Sequence, residues 1–171
     1  TFPLFSESFT FLPLATLLGK KWLVLHGGLF SDDNVTLDDI RSINRHACKQ
    51  PGSDGLMMEM LWTDPQTSPG RGPSKRGVGL QFGPDVTRRF CERNNLAGII
   101  RSHECKDDGV HVEHDGMCIT VFSAPNYCDS QGNKGAYINI KQDLKLDHQI
   151  FEAVPHPPIK PMAYVSNRLL G

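Results

Sequence analysis

The sequence lacks the features that would assign it to a membrane or to nucleic acid. No apolar run approaches the roughly 20 residues that a membrane-spanning helix needs, and no basic segment leads into an apolar one near residue 1. Its 18 Lys and Arg nearly balance its 19 Asp and Glu, for a net charge of -1. This balance does not favour binding to nucleic acid or to an acidic membrane surface. We expect a soluble protein with neither partner.

The sequence also lacks paired cysteine spacings. Its five cysteines are an odd number, and no two of them form a C-x-x-C motif. Disulfide frameworks normally use an even number of cysteines in an oxidising compartment. The cysteines therefore favour a reducing location, and we expect the protein in the cytoplasm and the nucleus.

Helical and strand patterns alternate in the first half of the chain. Apolar residues at helical spacing predict a helix over residues 2–18, which Pro13 kinks or ends. Residues 21–26 read as a strand, and Thr36 begins a helix with a capping box. Further helices are predicted at "GLMMEMLW" and from Pro84. The segment "QTSPGRGPSKRGVG" reads as a glycine-rich loop that either connects elements or presents positive charge.

Strand patterns dominate the second half. "LAGIIRSHE" contains a short apolar run, and "GVHVEH", the turn pair "DG" and "MCITVF" predict a hairpin. "GAYINIK" predicts one more strand. His111 and His114 fall on opposite faces of the hairpin pattern and are predicted to be exposed. The order of elements indicates a mixed α/β fold class with both α/β and α+β character.

Two predicted strands end in the same way, each at a histidine. "LVLHGG" delivers His26 and "IIRSHE" delivers His103 to the edge of a sheet, where α/β proteins bind ligands. A single histidine at a strand end is more often structural, but two in matching positions favour a shared metal ion. The glycines after His26 allow a sharp turn and the close approach of a substrate. We therefore predict that both histidines are metal ligands.

Two loops add polar groups to this picture. Arg76, in "SKRGV", has the planar fork that binds phosphate oxygens in a bidentate manner. Tyr127, in "SAPNYCD", follows a strand and can stack or donate a hydrogen bond. The alternatives are a solvated basic loop and a packed tyrosine. Together the groups suggest metal-assisted phosphoryl hydrolysis, although Asp64, Glu104 and the other carboxylates show no ligand spacing.

Several segments in fixed order resemble one protein family. "HGGLFSDD", "MLWTDP", "SKRGVGLQFGPDV", "IIRSHE" and "VFSAPNYCD" resemble the second half of the catalytic domain of the serine/threonine phosphoprotein phosphatases, which include calcineurin. The tail "AVPHPPIKPMAY" resembles the branch of the family that carries a tetratricopeptide-repeat domain. The resemblance covers nearly all 171 residues. It implies part of the four-layer α-β-β-α sandwich of the metallo-dependent phosphatases.

The resemblance also implies site roles. His26 and His103 would bind one of two catalytic metal ions, divalent or trivalent and of the manganese, iron or zinc class. Arg76 and Tyr127 would bind the substrate phosphate, and Cys128 would lie in the loop that inhibitors of the family contact. The implied reaction is attack by a metal-bound hydroxide on phosphoserine or phosphothreonine in a protein substrate.

The sequence departs from the family by lacking its first-half motifs. G-D-x-H-G, G-D-x-x-D-R-G and G-N-H-E, which carry the bridging aspartate and the general-acid histidine, do not occur. No catalytic proton donor is therefore predicted in this half, and we expect residues 1–154 to be the C-terminal part of a catalytic domain, inactive without an N-terminal half. Chaperone binding would need the repeat domain, which is also absent.

Other readings remain open from the sequence. Residues 155–171 form a proline-rich tail with P-x-x-P spacing, and the resemblance implies a short C-terminal helix from Ala163 to Leu170. One alternative is therefore a non-catalytic fragment or an interaction module of a phosphatase, docking through this tail. A site of histidines alone that holds zinc for unrelated hydrolysis is a weaker alternative, because the carboxylates of a two-metal site are missing.

Overall fold

This computed structural model describes residues 1–155, in which helices and strands combine in a mixed α/β fold. The helices are α1 (Phe2–Phe9), α2 (Leu37–Ser42), α3 (Arg45–Cys48), α4 (Leu56–Trp62) and α5 (Pro84–Asn94). The strands are β1 (Ala15–Leu18), β2 (Trp22–Leu25), β3 (Asp64–Pro65), β4 (Arg71–Pro73), β5 (Leu80–Phe82), β6 (Gly98–Arg101), β7 (Val110–Glu113), β8 (Cys118–Val121), β9 (Gly135–Ile140) and β10 (Leu146–Phe151).

The largest sheet has five strands in the order β1-β2-β6-β8-β7. Its three central strands run parallel, and both edge strands are antiparallel to their neighbours. Leu23, Ile99 and Cys118 are partners across these central strands and are almost fully buried. Phe90 of α5 joins this core and packs against Phe30, with ring centroids 5.5 Å apart. Burial on this face fixes the register of the strands.

The predicted helix starts are confirmed where local chemistry determines them. Thr36 and Asp39 form the capping box of α2, because each side chain accepts a hydrogen bond from the other residue's backbone N–H. Pro84 occupies the first turn of α5, and Asn95 ends that helix in the left-handed conformation. The hairpin of β7 and β8 is also confirmed.

The predicted helix over residues 2–18 is wrong beyond its first two turns. Helix α1 ends at Phe9, and residues 15–18 form β1, which pairs with β2. Gly19 and Lys20 both have positive φ in the turn between these strands. Hydrogen bonds across the hairpin therefore prevail over the helical spacing of apolar residues.

Four further strands, β3, β4, β5 and β10, were not predicted. Part of the glycine-rich segment forms β4, which pairs with β5 beside β3, so this segment is more ordered than a flexible connector. Strand β10 pairs with β9 along six residues. Its polar sequence, "LDHQIF", hides the alternation that identifies a half-buried strand. The predicted tail helix lies outside the described residues.

Helix α1 projects its apolar side chains into solvent. None of its residues is buried, and Phe2 and Phe5 are 81% and 57% exposed. Phe11 stacks on His46, but it is itself exposed. Several large apolar side chains are therefore exposed together on one helix, which differs from singly scattered surface residues. Within residues 1–155, no helix has the length and apolar character needed to cross a bilayer.

Candidate metal and phosphate site

The two strand-end histidines lie side by side. Strands β2 and β6 are adjacent and parallel, so their C-terminal ends meet at one edge of the sheet. His26 and His103 follow these ends, and their ring centroids are 4.8 Å apart. The backbone N–H of Ser102 donates to the carbonyl of His26 at 3.1 Å, which ties the two ends together. The structure thus brings both predicted ligands into one site.

The ring of His103 is held in a defined but incompletely bonded position. The residue has a positive φ of 69°, and its side chain is only 11% exposed. Its Nδ1 lies 3.3 Å from an Asp64 oxygen, yet it is buried and makes no hydrogen bond within the described residues. The contact is electrostatic, because its geometry is not that of a hydrogen bond. Trp62 packs edge-on against the ring.

Asp64 is the acidic centre of the site, which the sequence did not indicate. It is 6% exposed and lies between two arginines. Arg76 Nε donates to Oδ2 at 2.6 Å, and Arg101 Nη2 donates to Oδ1 at 2.7 Å. Burial acts to raise the pKa of Asp64, but His103, Arg76 and Arg101 reverse this effect and hold the pKa well below its ordinary value. Asp64 is therefore ionised.

Arg76 lies next to the histidines, as a phosphate-binding role requires. Besides its ion pair with Asp64, it donates from Nη2 to the carbonyl of His103 at 2.9 Å. The Asp64 contact raises the pKa of Arg76. The side chain keeps a third of its surface exposed, so it remains accessible to an anion.

The histidines fit part of a metal site. The unbonded Nδ1 of His103 needs a partner, and imidazole nitrogen is a common ligand for zinc and related divalent ions. Partial burial lowers the pKa of His26, and the neighbouring His103 and Arg101 lower it further. His26 is thus neutral near pH 7, which is the form of histidine that binds a metal ion. No group of three His, Cys, Asp or Glu able to hold a metal occurs in residues 1–155. These residues therefore provide only a partial ligand set.

Tyr127 and Cys128 lie in the loop after β8. Tyr127 is 47% exposed, and its ring meets Phe122 at right angles. Its backbone N–H donates to the Asn133 side chain at 2.8 Å. Cys128 is exposed and has a positive φ. Among the described residues, no hydrogen bond or ring contact joins either side chain to Arg76, so their roles at the site stay predictions.

The prediction that both hairpin histidines are exposed is wrong for His114. His111 is exposed, but His114 is 7% exposed and bonded at both ring nitrogens. Its Nδ1 lies 2.8 Å from Thr87 Oγ1, and its Nε2 lies 2.9 Å from the Gln66 carbonyl. The turn places His114 at positive φ and directs it into the fold, which strand alternation does not anticipate.

Comparison with known proteins defines the class to which this site belongs. The model of the calcineurin-like phosphoesterases matches residues 1–107. The chain therefore belongs to the calcineurin-like phosphoesterase family, whose members use divalent metal ions. The predicted metallo-dependent phosphatase fold and the resemblance to serine/threonine phosphatases are both confirmed.

Individual relatives narrow the resemblance to the branch predicted from the tail. The chain is 72% identical to serine/threonine-protein phosphatase T of Aspergillus oryzae over 99% of its length, and 57% identical to serine/threonine-protein phosphatase 5 of Homo sapiens over 98%. A solved protein serine/threonine phosphatase from Saccharomyces cerevisiae, described as similar to human phosphatase PP5, superposes with a TM-score of 0.86 at 51% identity. That match covers 95% of this chain and 54% of the solved one.

The chain spans only part of the length of each of these relatives. The chain spans 36% of the Aspergillus protein and 34% of the human protein, or about a third of each. This share agrees with the prediction of a partial catalytic domain.

Proposed function

We propose that this chain forms one side of the active site of a protein serine/threonine phosphatase. The observation that carries the proposal is the meeting of His26, His103 and Arg76 at the C-terminal edge of β2 and β6. Two imidazoles and one accessible guanidinium suit a metal-assisted attack on a phosphate monoester. The proposed substrate class is phosphoserine and phosphothreonine in proteins, because the relatives are named serine/threonine-protein phosphatases.

Each residue has a part in this reaction. His26 and His103 would hold one of two metal ions of the manganese, iron or zinc class. Such ions supply a nucleophilic water near neutral pH and neutralise charge on the phosphoryl group. Arg76 would orient the phosphoryl oxygens through its forked N–H groups. Tyr127 would border the phosphate, and Cys128 would lie in an inhibitor-contact loop beside it.

In this proposal the chain needs an N-terminal half for phosphatase activity. Its described residues contain only part of a ligand set, and the exposed aromatic side chains of α1 offer an apolar surface for further chain to cover. These observations support inactivity of the 171 residues alone. The same observations agree with the second candidate, a non-catalytic fragment of a phosphatase.

The state of the cysteines is the basis for a proposed cellular location. All five are free, and three of them are exposed. A reducing compartment keeps such thiols intact. We infer a cytoplasmic and nuclear protein, which microscopy of a tagged gene product would check.

The decisive experiment compares the chain alone with the chain plus a segment that carries the three missing motifs. Alone, it should neither retain two manganese ions nor hydrolyse a phenyl phosphate ester. With the segment, activity on a phosphoserine peptide should appear, and Arg76→Ala should reduce it by about 10²–10³-fold, as loss of a donor to a transition-state oxyanion does. Arg88→Ala, at an exposed ion pair, is the control.

Three results would contradict this proposal. Two bound metals and turnover by the chain alone would refute the need for the other half. Full activity of Arg76→Ala would refute its phosphate role. Lack of activity in the completed protein would leave the non-catalytic fragment as the better reading.

A further inference from the structure

Arg101 is a charged side chain buried at the end of the central strand β6. It is 1% exposed, and no part of its side chain reaches solvent. A buried charge is costly unless it is paired and hydrogen-bonded, and an apolar residue often serves the fold as well. Its neighbours Ile99 and Ile100 are apolar and equally buried. The guanidinium therefore calls for an explanation beyond packing.

The contacts of Arg101 join three segments of the candidate site. Its Nε donates to the Gly27 carbonyl at 2.6 Å, next to His26. Its Nη1 donates to Glu104 Oε2 at 2.7 Å, directly after His103. Its Nη2 donates to Asp64 Oδ1 at 2.7 Å and lies 3.3 Å from the carbonyl of the preceding residue. One planar group thus links the turns of both histidines to the segment of Asp64.

Through its contact with Asp64, Arg101 is also connected to Arg76. Asp64 accepts from Arg101 on Oδ1 and from Arg76 mainly on Oδ2, with a longer contact of 3.4 Å from Arg76 Nη2 to Oδ1, so the two arginines share one carboxylate. Arg76 is the side chain that solvent and substrate can reach. Because Arg101 is buried, it cannot contact a substrate itself.

We propose that Arg101 is a positioning residue of the phosphatase site, acting through Asp64 to orient Arg76 and through the two turns to orient His26 and His103. The inference rests on the function proposed above. It assigns Arg101 no direct contact with substrate or metal. A displacement of about 1 Å in such groups can reduce a rate about 10²-fold, which is the loss expected when Arg101 is replaced.

The first test replaces Arg101 in the complete gene product and measures turnover of a phosphoserine peptide. Arg101→Met, similar in length but without donors, should lower kcat by about 10²-fold. Arg101→Lys should remain impaired by at least about tenfold, because an ammonium lacks the planar fork that makes these contacts. Arg88→Met, at an exposed ion pair with Asp115, should match the unsubstituted protein. Full activity of Arg101→Lys would overturn the proposal.

A double substitution separates positioning from a general loss of structure. If Arg101 acts through Arg76, Arg101→Met with Arg76→Ala should be no more impaired than the worse single variant. If the two losses multiply instead, the residues act independently and the proposal fails. The thermal denaturation of each variant is measured as well. If both Arg101→Met and Arg101→Lys are unfolded, Arg101 serves the fold, and the proposal is overturned.

Binding of inorganic phosphate provides a readout that needs no turnover. Equilibrium dialysis with labelled phosphate should show at least about tenfold weaker binding to Arg101→Met, because Arg76 is misdirected. Unchanged phosphate binding would count against the proposal whether or not the protein is active. Absence of peptide turnover in the unsubstituted protein would instead refute the proposed function, so the two failures are distinguishable.

Discussion

The imidazole rings of His26 and His103 lie 4.8 Å apart at the ends of two parallel strands that pair directly. Their proximity follows from the pairing of β2 with β6 and not from local sequence. Because Ser102 hydrogen-bonds to the His26 carbonyl, the strand ends cannot separate without loss of that bond. The arrangement therefore places two imidazole rings side by side at one edge of the sheet.

The first prediction concerns metal retention. In the complete gene product, His103→Asn should weaken metal binding by more than about tenfold, since loss of an outer-shell partner alone costs 10–100-fold. His111→Asn, at an exposed histidine of β7, should keep the metal. Metal content after dialysis, measured by mass spectrometry, checks this. Equal retention in both variants would contradict the ligand role of His103.

The second prediction is a pH dependence that arises at Asp64. Burial opposes its ionisation, but His103 and the two arginines lower its pKa well below 3.8 in the folded state. The ionised carboxylate thus contributes stability that is fully present above the unfolded pKa, about 3.9, and is lost as the pH falls towards the folded pKa.

Urea denaturation of the unsubstituted protein and of Asp64→Asn can measure this contribution. The stability difference between the two proteins should stay constant from about pH 7 to about pH 5, then narrow below about pH 4. A difference that widens in acid would contradict the assignment.

The elements that carry the histidines are predictable from sequence for a physical reason. Their strands are short apolar runs bounded by turns. Helix α2 is predictable for the same reason, because its capping box is a local interaction between Thr36 and Asp39. Such signals depend on neighbours along the chain. The same holds for the start of α5, where Pro84 lies in the first turn.

The acidic centre of the site is not predictable in this way. Asp64 follows α4 and Arg101 ends β6, and only the packing of these elements brings them to 2.7 Å. A useful signal was nevertheless present: an arginine directly after two isoleucines of a buried strand requires a buried partner. The sequence alone does not identify which carboxylate provides it.

The third prediction concerns the turn after His26. A Cβ on Gly27 would lie 2.6 Å from the backbone carbon of Leu61, so α4 would have to shift. We expect Gly27→Ala to lower the free energy of unfolding by about 1–3 kcal/mol, the usual cost of overpacking. Gly52→Ala, where nothing lies closer than 3.9 Å, should stay within about 0.5 kcal/mol of the unsubstituted protein. Urea denaturation measures both, and equal effects would contradict the close contact.

The last prediction compares the two hairpin histidines. His114 joins Thr87 to the Gln66 carbonyl, and its ring packs edge-on against Phe82. The carbonyl can only accept, so Nε2 donates to it and Nδ1 accepts from the Thr87 hydroxyl in the neutral ring. His114→Ala leaves that buried hydroxyl without its partner, and we expect a loss of about 1–3 kcal/mol in the free energy of unfolding. His111→Ala, at an exposed position of the same hairpin, should change it by less than about 0.5 kcal/mol. Urea denaturation of both variants tests the contrast, and a similar small change in each would show that the His114 bonds do not stabilise the fold.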